Sequence, residues 1–213
     1  MAQKHALEII SILKKNYPNA KYYLNFSSPV ELLVAAILSA QCRDEIVNTC
    51  TGELFKKYKN AKDYANADLN ELINDIRTIT FAGNKAKNVI AACKILVEKH
   101  NGKVPKTLEE LMELPGIGKK TAVTILTNAY NIVLGIAVDA HVIRVSYRLG
   151  WTKNKNPDKI ELDLQKIIPK EDWEKITWLL KTHGREICKA PIPYCSKCLL
   201  NKLCPKNGVD KKL

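Results

Sequence analysis

Apolar residues recur along this chain at intervals of three and four, and no segment bounded by turn residues alternates apolar with polar positions, so the pattern predicts an all-α protein. "SSPVELLVAAILSAQ" begins with Ser28 as N-cap, Pro29 in the first helical position and Glu31 closing a capping box; its apolar run marks a central, buried helix. "DEIVNTCTGELFKKY" puts Val47, Cys50 and Leu54 on one face. "TLEELMEL" repeats the capping box with Thr107 and Glu110 and stops at Pro115 and Gly116. Gly118 then opens "KKTAVTILTNAY", with Val123, Leu126 and Tyr130 inward, which makes two helices joined by a tight glycine hairpin. In "DAHVIRVSYRLG", Asp139 is the N-cap, Val142, Val145 and Leu149 form the buried stripe, and Gly150 ends the helix. Two further helices, "PDKIELDLQKII" and "EDWEKITWLLKTHG", lead to a tail of different character.

From residue 186 onward the chain carries four of its seven cysteines and three of its nine prolines, with too few apolar residues to order the segment by burial. The thiols of Cys188, Cys195, Cys198 and Cys204 are spaced C-x6-C-x2-C-x5-C. Four thiolates in a short loop close a tetrahedral zinc site or hold a [4Fe–4S] cluster, and the spacing alone does not choose between them. Cys42, Cys50 and Cys93 lie in helical patterns and are expected to be small buried hydrophobes.

The 213 residues are enough for one substantial core or two small lobes. "LLVAAIL", at 32 to 38, is too short to span a bilayer, so a soluble protein with no membrane partner is expected. "MAQKHALEII" lacks the apolar core of a secretory signal, which places the cysteines in a reducing compartment and argues against a disulfide framework. Thirty-four Lys and Arg against 22 Asp and Glu give a net charge of +12, which favours a polyanionic partner. The lysines are scattered, so binding would use a folded surface.

"LPGIGKKTA" combines several signals. Gly116 and Gly118 let the backbone approach a partner closely, and the first N–H groups of the following helix lack intrahelical acceptors and carry partial positive charge. This arrangement binds phosphate without reading bases. Lys119 and Lys120 occupy the first turn, where the helix dipole and their mutual repulsion disfavour two positive charges; a lysine kept partly neutral is a nucleophile. An ordinary helical corner with solvated lysines is the plainer alternative.

"LPGIGKKTA", then "VDAHVIRV", then the C-x6-C-x2-C-x5-C tail together resemble the endonuclease III family, DNA glycosylases of the helix–hairpin–helix superfamily. "LNFSSPVELLVAAILSAQ" and "HNGKVP" extend the resemblance over nearly the full length. It implies a two-lobed, all-α helix–hairpin–helix glycosylase fold: a six-helix barrel-like domain at 22–132, and a discontinuous iron–sulfur domain at 1–21 and 133–213. The cleft between the lobes would hold the family's catalytic lysine, which falls on Lys120, and its aspartate, which falls on Asp139. The four cysteines would bind a [4Fe–4S] cluster.

The resemblance further implies a monomeric enzyme of base excision repair, cytoplasmic and associated with the nucleoid. It would act on double-stranded DNA containing damaged bases or abasic sites, remove oxidised pyrimidines through a lysine Schiff base and nick the strand by β-elimination. A target base must leave the duplex to be reached. The family's two wedges match Gln41 and Phe81, although Gln41 also suits a helix C-terminus and Phe81 a core. Gly116, Gly118 and Lys119 would take phosphate, and His141, Lys189 and Lys197 are further DNA-facing candidates.

The sequence leaves the family pattern at Thr80, Phe81 and Ala82, where "GLY" is common, at Ala140, where threonine is frequent, and at Cys42 and Arg43. An adenine glycosylase would carry a glutamate where Ala35 stands. A thymine or uracil mismatch glycosylase usually replaces the lysine, and a non-catalytic DNA-binding module would lack Lys120 or Asp139; both residues are present.

Overall fold

Helical spacing in the sequence becomes helix almost throughout. The computed structural model describes residues 2–213, and the order is α1 (Ala2–Asn16), α2 (Pro29–Ser39), α3 (Asp44–Lys57), α4 (Ala61–Ala65), α5 (Leu69–Asp75), α6 (Ala82–His100), α7 (Leu108–Met112), α8 (Lys119–Tyr130), α9 (Ala140–Arg148), α10 (Pro157–Ile167) and α11 (Trp173–Glu186). Among the described residues there is no strand, and no helix is long and apolar enough to cross a membrane. The chain divides into two compact units, one of Tyr23–Ile132 and one that joins the segment up to Tyr22 with Val133–Leu213.

The first of these units is organised around α2, whose residues Leu32 to Leu38 are all buried. It packs against α3, α6 and α8, while α4 and α5 lie on α6 and α7 pairs with α8. Truncating any one of its large side chains to alanine costs about 2–5 kcal/mol, a large part of the 5–15 kcal/mol that a domain typically has. The helix starts where the pattern placed it. Ser28 Oγ accepts from Glu31 N at 3.2 Å, but the Glu31 carboxylate takes the N–H and hydroxyl of Ser27, at 2.6 and 2.7 Å, one residue earlier than a capping box. Thr107 caps α7 by accepting from Glu110 N at 3.4 Å.

Three inward assignments need correction. Tyr130 is only half-buried, because its hydroxyl reaches out to Val104 O at 2.7 Å. Cys42 and Cys50 are also half-buried, and on α3 the buried place next to Cys50 belongs to Thr51; Cys93 alone of the three is fully enclosed.

In the discontinuous unit α1 contributes Ala6, Ile9, Ile10 and Leu13 to a core completed by Val142, Val145, Leu164, Ile176, Leu179 and Leu180, among others. α9 lies against α11, and Gly184 leaves no room for a side chain between them: a Cβ there would stand 3.0 Å from His141 Nδ1 and 3.1 Å from Arg144 Nη2. Gly150 ends α9 in the left-handed region, at φ +71°. The cysteine-bearing tail contributes Leu200 to this core, with Cys188, Cys198 and Cys204 packed at its margin.

Candidate functional site

The hairpin between α7 and α8 is anchored from inside by Leu111, Leu114, Ile117 and Val123, all buried. Gly116 has φ +85°, and a Cβ there would press on the Asn88 side chain at 3.1 Å, so glycine is demanded twice over. Gly118 differs. Its φ is −97°, and a Cβ would meet nothing within 4 Å, so the protein's own packing does not require a glycine there. It is the N-cap of α8 without a side-chain cap, and the first turn contains no acidic residue. Gly116, Gly118, Lys119 and Lys120 are all exposed. The result is a positively polarised helix end without a side-chain cap.

In the same unit the residues that follow α2 meet those that precede α6. Gln41 and Phe81 are both exposed and both left-handed, at φ 52° and 58°. Phe81 is 65% exposed, which excludes the core reading for this ring. The Thr80 hydroxyl donates to Gln41 O at 2.9 Å, and beneath it Lys85 Nζ donates to Leu38 O at 2.7 Å, Ala40 O at 2.6 Å and Thr80 Oγ1 at 3.4 Å. Lys85 is 5% exposed, and burial pulls its pKa below the ordinary lysine range.

In the discontinuous unit Asp139 is the N-cap of α9 and half-buried; its Oδ1 accepts from His141 N at 2.8 Å and Val142 N at 2.9 Å. His141 Nδ1 accepts from Arg144 Nη2 at 3.1 Å, which leaves the ring proton on Nε2, and burial pulls its pKa down against the opposing pull of Asp139. Arg144 also donates to Gly184 O and Cys188 O, at 2.9 and 3.0 Å, so the helix that Asp139 caps is tied to the start of the cysteine segment.

Cys188, Cys195, Cys198 and Cys204 line one cavity together with Arg148 and His183. Arg148 is buried and reaches Cys188 Sγ at 3.3 Å and Lys189 O at 2.8 Å. His183 lies between Tyr17 Oη, 3.2 Å from Nδ1, and Cys198 Sγ, 3.6 Å from Nε2. Burial holds this histidine near a pKa of about 4, so it is neutral at physiological pH. Burial also pushes the Cys198 thiol up to about 11 and raises Cys204. No group of three or more His, Cys, Asp or Glu among the described residues converges as the ligands of a single ion would. Lys189 and Lys197 are exposed and share the Tyr194 ring, with Nζ 5.1 and 5.9 Å from its centroid.

Lys85, Arg148 and His183 were missed from the sequence, and the signal was present. Lys85 falls in the stripe of Ala86, Val89, Ala92, Cys93 and Leu96, Arg148 in that of Val142 and Val145, and His183 in that of Ile176, Leu179 and Leu180. A charged or titratable residue on the buried face of a helix is there for a partner.

Comparison with known proteins agrees across the whole chain. The family described as HhH-GPD superfamily base excision DNA repair protein matches residues 34–170. Endonuclease III of Synechocystis sp. is 47% identical over 203 residues, 95% of this chain and 93% of that protein. Endonuclease III of Bacillus subtilis is 44% identical over 198 residues, 92% of this chain and 90% of that one. A solved structure of a trapped covalent intermediate between endonuclease III and DNA, an estranged-adenine complex, is similar with a TM-score of 0.90, 41% identity and 97% of each chain covered.

Proposed function

The chain belongs to the endonuclease III family within the HhH-GPD superfamily of base excision DNA repair proteins, and from that premise we infer that it works on duplex DNA as a bifunctional glycosylase and AP lyase. We propose Lys120 as its nucleophile and Asp139 as its carboxylate. The observation that carries this reading is the α8 N-terminus: an exposed lysine set one residue beyond Lys119, in a turn without acid, behind a Gly118 that nothing in the protein's packing requires. A backbone phosphate can approach the N–H end of this turn, which no side chain caps, and the +12 net charge draws the polyanion in.

Loss of the base leaves positive charge on the sugar, the charge that the Asp139 carboxylate is proposed to stabilise. The Lys120 nitrogen bonds to C1′ as the C1′–base bond breaks, and the base leaves with the bonding pair and takes up a proton. Opening of the sugar ring gives an iminium that acidifies the C2′ proton. Its removal expels the 3′ phosphate, and hydrolysis of the imine returns the lysine. Gln41 and Phe81 fill the space from which the target nucleotide is flipped, and an exposed phenyl ring stacks on neighbouring bases with about 1–3 kcal/mol per base. Lys119, His141, Lys189 and Lys197 are proposed contacts along the strand. Oxidised pyrimidines are the proposed substrates and a monomer the proposed working form.

The thiol cavity fits an iron–sulfur group: four soft donors share it, and two of them are disfavoured as bare thiolates by burial, so a group that keeps thiolates ionised suits them. Cys188, Cys195, Cys198 and Cys204 would hold a [4Fe–4S] cluster, which cross-links a tail that has little core of its own.

Borohydride reduction of the Schiff base tests the assignment. Lys120→Gln keeps the size and loses the amine, so trapping and nicking should disappear while DNA binding stays within about tenfold. Undiminished trapping in this variant would move the nucleophile to another residue.

A further inference from the structure

Gln41 and Phe81 hold a backbone conformation that neither side chain favours. A left-handed φ costs a non-glycine residue about 1–2 kcal/mol and persists only where surrounding structure enforces it. Two such residues, both exposed, flank a network whose centre is out of water. Leu38 and Ala40 lie at the C-terminal end of α2, where carbonyls lack intrahelical donors and the helix dipole is negative. Lys85, from the first turn of α6, supplies its ammonium to both of them at 2.7 and 2.6 Å and to Thr80 Oγ1 at 3.4 Å. Thr80 in turn donates to the carbonyl of Gln41 itself, across 39 residues of sequence. No carboxylate is among the acceptors of this buried cation.

An ammonium that only capped α2 would need nothing from the loop before α6. The threonine hydroxyl is the part of the network that the helix cap does not explain, since it fastens one exposed, strained residue to the neighbour of the other. We propose that Thr80 and Lys85 form a latch that presets Gln41 and Phe81 as one unit before DNA arrives, making them positioning residues for base extrusion. The latch removes the ordering cost that two independent loops would meet on insertion. This inference rests on the wedge role of Gln41 and Phe81 proposed above.

The test uses the full-length protein, a duplex carrying thymine glycol beside 2-aminopurine, whose fluorescence rises on unstacking, and a second duplex with a preformed abasic site. Thr80→Val keeps the shape and removes the hydroxyl. It should lower both the fluorescence rise and single-turnover excision by about fivefold, the effect of about 1 kcal/mol, and lower nicking of the abasic duplex by less than about twofold. Thr80→Ser should restore both signals. Lys85→Met should shift the same ratio in the same direction. An unchanged Thr80→Val enzyme overturns the latch, and so does an equal fall on both duplexes, which is the mark of a general loss of folded protein. Phe81→Ala, run alongside, separates the two levels. If it lowers excision while Thr80→Val does not, the latch fails and the wedge reading stands; if neither variant changes excision, the wedge reading fails and the latch with it.

Discussion

Asp139→Asn separates a helix cap from a catalytic charge. Both capping bonds of Asp139, from His141 N at 2.8 Å and Val142 N at 2.9 Å, end on Oδ1, and an asparagine keeps an oxygen there. Asn and Asp are near-equal N-caps, so the cap survives. What disappears is the negative charge facing the α9 dipole, worth about 0.3–1 kcal/mol at a helix end, together with its attraction for Arg144. For a chain of this size a loss of about 1 kcal/mol lowers the melting temperature by about 2–4 °C. A protein with 5–15 kcal/mol of stability then remains almost wholly folded at 25 °C. The chemical step loses the group proposed to stabilise the sugar cation, and the expected fall is about 10²-fold or more, or about 2.7 kcal/mol of barrier. Single-turnover excision from a thymine glycol duplex, measured beside thermal melting, reads the two effects separately. Excision within about threefold of the parent enzyme, or a loss that merely follows the unfolded fraction, would show that Asp139 is a cap and nothing more.

Two further outcomes test the packing and the tail. Gly184→Ala adds a methyl 3.0 to 3.2 Å from His141, Arg144 and Val145, so it should lower the unfolding free energy by about 1–3 kcal/mol in a denaturant titration; an unchanged value would mean that these side chains shift to admit the methyl. Cys195→Ser should leave protein with less iron and a tail that proteases cut, because Leu200 and the partly buried Leu203 give that segment little apolar burial to fall back on. Stoichiometric zinc in anaerobically purified parent protein would refute the cluster assignment.

The features legible in the sequence are those settled within a few residues. Ser28, Thr107 and Asp139 cap the helices expected of them because a cap depends only on an N–H two or three positions on. The glycine hairpin and the spacing of the four cysteines were legible for the same reason, and the order of these motifs carried the family resemblance. Burial at particular positions was less legible. Cys50 and Tyr130 have inward spacing and yet stay half-buried, since the partner face decides how wide a stripe is covered. The side of the surface on which Phe81 lies was open until its loop was placed. The pairing of α1 with α10 and α11 left no mark in the pattern, because the apolar stripe of Ala6, Ile9, Ile10 and Leu13 fits any complementary face and its partners lie more than a hundred residues away. Lys85 shows the limit most plainly: its position on a buried stripe was visible, but its acceptors on Leu38 and Ala40 are backbone carbonyls, 47 and 45 residues distant. Every residue has such a carbonyl, so no side-chain pattern can mark which ones a buried ammonium will find; only the packing of α6 beside the end of α2 selects them.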